Sequence, residues 1–159
     1  SPDKLTACLL NRPRHNKFIK SLRELGVKIK FIEDGDVSGV ISVGDKNSNI
    51  DIYLGIGGAP EGVLAAAALK CLNSQMQSRL HFEDNSQREK AKILGIKNLS
   101  KKYSIEDMVK GDVIFSATGV TSGDLISGIK DKGKSFESET YVLHLDSKTE
   151  EKIKNITQK

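Results

Sequence analysis

The run Gly55-Ile56-Gly57-Gly58-Ala59-Pro60-Glu61-Gly62 joins several glycines to a helix-starting proline and a carboxylate. Glycines let a backbone come close to a ligand, and the first N–H groups of the following helix can face an anion. The pattern is superficially that of a dinucleotide fingerprint, but it fails as one. Pro60 and Glu61 stand where a pyrophosphate needs N–H donors and no negative charge. A carboxylate beside an anion site makes chemical sense when a divalent cation lies between them, which makes Glu61 a candidate metal ligand. The other reading of Glu61 is an acid placed in the first turn of a helix to suit its dipole.

Three further loops carry residues of interest. Arg12-Pro13-Arg14-His15 sets two guanidiniums around a rigid residue, a fork suited to phosphate oxygens. On this motif alone, two surface arginines at a helix start are the commoner reading. Asp34-Gly35-Asp36 offers short acids to sugar hydroxyls or a cation, or forms an Asx-turn that caps a helix. Ala117-Thr118-Gly119-Val120-Thr121 favours close packing of strand against loop over a pocket lining. Of the histidines, only His15 adjoins a candidate site. His81 and His144 lie in apolar strand patterns and suit structural roles. No Ser-His-Asp or Cys-His set stands out, so no catalytic residue in the strict sense is assigned.

These loops need elements to position them. Residues 6–10 are an apolar run suited to a buried strand. Pro13 fits the first turn of a helix whose apolar residues Phe18, Ile19, Leu22 and Leu25 recur at helical spacing up to Gly26. Alternation over residues 27–32 gives a second strand. Acids around Gly35 make a turn, a short helix follows over residues 37–43, and residues 45–49 form a polar loop. Residues 50–56 form a third strand, apolar enough to be buried on both faces. An Ala- and Leu-rich helix with a tightly packed small face covers residues 63–72. Further on come a strand over residues 76–82 and a charged helix over residues 86–94, stopped by Gly95. A short helix capped by Ser104 carries Met108 and Val109 on its apolar side. Strands follow over residues 112–118 and 141–145, and residues 147–156 are amphipathic. Strands alternating with helices predict an α/β domain with a layered sheet. Each candidate loop follows an apolar strand, where ligands bind in open α/β sheets.

Composition supports a folded α/β chain. Of the 159 residues, 37% are apolar and 29% charged, which excludes disorder, and only three Pro beside fourteen Gly excludes collagen-like sequence. No stretch nears the ~20 apolar residues of a membrane span; the mildest candidate, residues 62–72, contains Lys70. The net charge of +4 comes from 25 basic against 21 acidic residues, mostly interleaved. With aromatics at 5% and no Trp, stacking platforms and a basic stripe are both missing, so nucleic acid is a poor partner. Cys8 and Cys71 sit in apolar surroundings as buried thiols, which suits a reducing compartment. From the residues alone, a non-catalytic phosphosugar- or nucleotide-binding module stays open beside a metal-assisted enzyme.

In order, Arg-Pro-Arg-His, Asp-Gly-Asp-Val, Gly-Ile-Gly-Gly-Ala-Pro-Glu-Gly-Val and Gly-Asp-Val-Ile-Phe-Ser-Ala-Thr-Gly-Val-Thr resemble the motifs of class II fructose-1,6-bisphosphatases, from Arg12 to about Gly128. Related bacterial enzymes also act on sedoheptulose-1,7-bisphosphate. The resemblance implies a layered α/β/α/β/α sugar-phosphatase architecture, here its C-terminal portion, with a mixed sheet flanked by helices. It implies hydrolysis of the 1-phosphate of fructose-1,6-bisphosphate in gluconeogenesis, with Mn²⁺ or Mg²⁺, in the cytoplasm, by a dimer or tetramer. Glu61 resembles the family's metal-ligating glutamate. Arg12, Pro13 and Arg14 resemble a substrate-contacting stretch near the phosphate remote from the metals. Asp34, Gly35 and Asp36 resemble a second stretch facing sugar hydroxyls, and Gly58 a backbone contact to substrate. The family's other metal-binding acids, and a threonine that assists the attack, belong to an N-terminal segment without a counterpart in this sequence. The expectation is therefore a C-terminal part that binds metal weakly and is inactive alone.

Overall fold

The first strand, β1 (Thr6–Leu10), explains the architecture around it. Its residues Ala7, Cys8, Leu9 and Leu10 are all buried, so both of its faces must be covered. Parallel neighbours flank it, β2 (Lys28–Ile32) on one side and β3 (Ile52–Tyr53) on the other, giving the order β2-β1-β3. Ala7 and Leu9 pack on Ile19 and Leu22 of helix α1 (Asn16–Glu24) and on Val27. The opposite face meets α2 (Asp36–Gly44), which lies against β1 and β3. The computed structural model describes residues 1–33 and 35–159, and of Asp36 the backbone.

Helix α3 (Ala59–Cys71) pairs with α2 to form an inner layer. The sequence gives α3 one tightly packed face; the fold buries two. Ala65, Ala66 and Leu69 join one core cluster with Val40, while Ala68 joins another with Ile41, Phe115, Tyr141 and Leu143. A helix with apolar residues all round is what an inner position requires, and its alanines permit close approach. The second cluster brings in an antiparallel sheet in which β8 (Ser135–His144) is central. It pairs with β9 (Thr149–Gln158) along its length, and on its other edge with β6 (Ile114–Thr118) and β7 (Lys130–Asp131). The layers are thus α1, parallel sheet, α2–α3 and antiparallel sheet. A short pair, β4 (Gln77–Arg79) with β5 (Lys102–Ser104), lies beside α5 (Ile105–Met108).

The α/β class is as the sequence indicates, with differences in extent. The strand expected over residues 50–56 pairs only at Ile52–Tyr53, because the backbone beyond Leu54 turns to meet the loop after β1. The strand expected over residues 76–82 shrinks to Gln77–Arg79, leaving His81 outside it and exposed. The charged helix is α4 (Asn85–Ile93), started by the Asp84 carboxylate accepting the Gln87 N–H at 2.8 Å and ended at Gly95, whose φ is +87°. The amphipathic tail is the strand β9, and β8 begins six residues before position 141, through a polar Ser-Phe-Glu-Ser-Glu-Thr run. Cys8 is fully buried and Cys71 half-buried, and burial pushes both thiols up in pKa.

His144 has a structural role, as its position in a strand suggested. Its Nε2–H donates to Asp112 Oδ2 at 2.8 Å, and in the neutral ring Nδ1 accepts the Ser147 hydroxyl proton at 2.8 Å. Asp112 Oδ1 also accepts the N–H groups of Val113 and Asp146, so the group clasps the start of β6 to the β8–β9 turn. The close packing expected after β6 is present: a Cβ on Gly119 would lie 2.1 Å from the Ser127 carbonyl oxygen.

Two stability predictions follow from these contacts. Gly119→Ala forces backbone apart and should destabilise the fold by about 1–3 kcal/mol in urea unfolding. Gly123→Ala meets nothing within 4 Å and should change stability far less. The second concerns pH. The His144 hydrogen bond, helped by the Val113 and Asp146 N–H groups, holds the Asp112 carboxyl below its usual range. A group that binds its proton more weakly when folded stabilises the fold above its unfolded pKa of about 3.9 and loses that contribution as pH falls through the folded value. Calorimetric Tm of wild type and Asp112→Asn should therefore differ at pH 6 and converge towards pH 2.

Candidate functional site

Three loops leave the carboxyl ends of β1, β2 and β3 and meet at one edge of the parallel sheet. In the order β2-β1-β3 the chain runs from β1 to one neighbour and then crosses to the other. The crevice between the ends of β1 and β3 is the topological switch point, where open α/β sheets bind ligands.

After β1 the chain makes a 3₁₀ turn, Pro13–His15, with Pro13 supplying a preset φ. Arg12 and Arg14 are exposed on it and His15 is fully buried. Each arginine reaches a different neighbour. Arg12 Nη2 donates to the Glu33 carbonyl in the β2–α2 loop at 2.8 Å, and Arg14 Nε donates to the Ile56 carbonyl in the β3–α3 loop at 2.7 Å. Each contact takes one of a guanidinium's five N–H donors. The fork therefore both joins the three loops and presents positive charge at their meeting point.

In the second loop, Gly35 has φ +84°, a left-handed conformation open to glycine at little strain, and is the N-cap of α2. Ser38 Oγ–H donates to its carbonyl at 2.8 Å. Asp34 lies outside the described residues, as does the side chain of Asp36. The capping geometry agrees with the turn chemistry of this segment.

In the third loop, Gly55, Gly57, Gly58 and Ala59 are exposed. Gly58 is the N-cap of α3, with Ala59 and Pro60 opening the helix. Glu61 is exposed, and its Oε2 accepts the Gly58 N–H at 2.8 Å, the backward half of a capping box. The expected backbone contact and the expected metal ligand are thus bonded to each other. Glu61 serves as a helix-cap acid in this state, and its carboxylate has a second oxygen to offer. A hard divalent cation takes six or more oxygens. Among the described residues no group of three His, Cys, Asp or Glu side chains converges on such a site. Among the described residues, the donors at this helix start would fit one ligand of a metal sphere.

His15, set beside the arginines by the sequence, is the least expected feature. Its ring sits between two backbone groups: Nδ1 lies 2.8 Å from the Leu10 carbonyl and Nε2 2.9 Å from the Ile56 nitrogen. The only signal for this in the sequence is its place directly after Arg-Pro-Arg, at the point where the chain turns back under the sheet edge. A cleft of about 780 Å³ opens beside β2 and α2, lined by Lys30, Ser42, Asp45, Asp124 and Tyr141 among others. It reaches the β2–α2 loop at Glu33 and Ser38, but not Arg12, Arg14, Gly58 or Glu61.

Residues 1–157 match the model of the family described as "Bacterial fructose-1,6-bisphosphatase, glpX-encoded". The chain belongs to this family. Its sequence is 39% identical over 166 residues to "Fructose-1,6-bisphosphatase class 2" of Haemophilus influenzae, covering 96% of this chain and 50% of that protein. It is 37% identical over 158 residues to "D-fructose 1,6-bisphosphatase class 2/sedoheptulose 1,7-bisphosphatase" of Synechococcus sp. strain JA-2-3B'a(2-13), covering 91% of this chain and 46% of that protein. This member of the bacterial fructose-1,6-bisphosphatase family thus spans about half the length of the curated relatives it matches.

The Glu61 contact separates a capping role from a chemical one. Glu61→Ala removes the acceptor of the Gly58 N–H and should lower stability by about 0.5–1.5 kcal/mol in denaturant titration. Glu61→Gln keeps an acceptor oxygen and should stay closer to wild type.

Proposed function

We infer that this chain provides the substrate-binding loops and one metal-ligating carboxylate of a bisphosphatase that hydrolyses the 1-phosphate of fructose-1,6-bisphosphate. The observation that carries this reading is the meeting of the Arg12–Arg14 turn and the Gly58–Glu61 helix start at the switch point of a parallel sheet, in a chain of this family.

Arg12 and Arg14 would hold the phosphate remote from the reacting one through charge-assisted hydrogen bonds. Asp34, Gly35 and Asp36 would face the sugar hydroxyls, and the Gly58 backbone would lie against the substrate. Glu61 would give a carboxylate oxygen to Mn²⁺ or Mg²⁺. Such a cation, when bound, neutralises phosphate charge and makes its water a better nucleophile. The remaining carboxylates and the group that assists attack would come from outside this chain, so binding and orientation are its share of the reaction. Whether sedoheptulose-1,7-bisphosphate is accepted as well depends on how the hydroxyl-facing loop fits the longer sugar.

Phosphate release from both bisphosphates tests the reading. With Mn²⁺, the 159-residue chain alone should release none; robust release that Glu61→Gln abolishes would overturn that part. In the full-length protein Glu61→Gln should lower kcat severely, whereas a near-normal kcat argues against metal ligation. Arg12→Ala should mainly raise KM. Arg14→Ala should raise KM and also lower kcat, because Arg14 holds the Ile56 carbonyl as well.

A further inference from the structure

Two consecutive residues of one turn hold both backbone polar groups of Ile56. The Ile56 carbonyl accepts from Arg14 Nε at 2.7 Å, and the Ile56 N–H donates to His15 Nε2 at 2.9 Å. Since Nε2 accepts, the ring is neutral with its proton on Nδ1, and that N–H donates to the Leu10 carbonyl at 2.8 Å. The ring is fully buried, so it has no surface to offer a ligand. The last sheet bond of β3 is Leu54 N–H to the Cys8 carbonyl, and the next fixed point is the helix start at Gly58. Between them, among the described residues, the Arg14 and His15 contacts are the hydrogen bonds that hold residues 55–57 to the sheet edge.

We propose that His15 is a positioning residue. By accepting the Ile56 N–H and donating to the end of β1, it fixes where Gly57, Gly58 and Glu61 stand relative to Arg12 and Arg14. This rests on the reading of those residues as the substrate side of a bisphosphatase. A side chain needed only for packing could be apolar. A buried imidazole whose two nitrogens meet an acceptor on one strand end and a donor on the next loop sets a distance between them. Removing it leaves the Leu10 carbonyl and the Ile56 N–H without that partner in a desolvated place. The loop would then shift with no contact to ligand having been removed, and misplacement of about 1 Å at a reacting centre can lower turnover about 100-fold.

The test uses two polar variants. Asn reproduces the donor at the Nδ1 position but does not reach Ile56; Gln reproduces the acceptor at the Nε2 position. In this chain, the Ile56 amide should exchange with solvent about tenfold faster in His15→Asn and near the wild-type rate in His15→Gln. In the full-length protein, His15→Asn should lower kcat on fructose-1,6-bisphosphate about 100-fold, with KM within about threefold. His15→Gln should restore most of the loss. Equal Tm losses in both variants, with wild-type kcat in each, would reduce His15 to packing and overturn the proposal, as would unchanged Ile56 exchange in His15→Asn. Glu61→Gln in the same assay keeps the two levels apart. If it abolishes turnover while His15→Asn does not, the positioning role alone falls. If Glu61→Gln and His15→Asn both leave turnover intact, the site reading falls, and this proposal with it.

Discussion

The constraint on which the site depends is that one loop must be held by another through backbone groups. Parallel strands cannot be joined by short turns, so successive strand ends arrive from distant sequence and have no covalent reason to stay in register. Here the turn after β1 provides that reason. Arg12 reaches the loop after β2, and Arg14 and His15 reach the loop after β3. Three segments that are far apart in the chain become one surface because a five-residue strand at the sheet centre ends in a turn with three hydrogen-bonding side chains in four residues.

The inner helix layer sets the other boundary of that surface. Helix α3 carries Glu61 in its first turn and must pack against Val40, Ile105 and Val109 on one side and against Phe115, Tyr141 and Leu143 of the antiparallel sheet on the other. Alanines at positions 65, 66 and 68 let it do so on both faces. Larger residues there would push the helix away from β6 and β8, and its N-terminus would move with it, since interiors are packed too closely to absorb the change locally. The small residues of α3 and the polar residues of the turn after β1 therefore act on the same point from opposite sides.

Much of this arrangement was legible in the sequence, for reasons that differ by element. The β1 run, the α1 periodicity and the Gly26 stop are local patterns that the fold has no cause to override. The turns of the candidate loops were legible because Gly and Pro each restrict what a loop can do. Less legible was whatever depends on distant partners. The polar first half of β8 is a strand because β7 and β9 pair with it, not because of its own alternation. Residues 54–56 look like more strand, yet their hydrogen bonds go partly to Arg14 and His15. His15 itself looks like an accessory to two arginines and is instead the buried member of the group. No periodicity announces a side chain whose two partners are backbone atoms 46 residues apart, at Leu10 and Ile56.

Glu61 shows why a motif and a site are different things. At the third position of a helix, an acid that accepts the N-cap N–H is favourable with no ligand at all, through the dipole and through that hydrogen bond. The same acid is unfavourable beside a bound phosphate unless a cation intervenes. A residue that suits the empty helix start and opposes an anion there is therefore biased towards a third, positively charged party. Among the described residues, these loops meet that bias with the Glu61 carboxylate on the helix start and with two arginines on the turn after β1. Under the proposed function, the arginines would hold one end of a doubly phosphorylated ligand and leave its other end to a cation, a division of labour that would require the distance between the two ends to be fixed. Fixing that distance is the task left to the backbone between Leu54 and Gly58, and hence to the side chains that hold it.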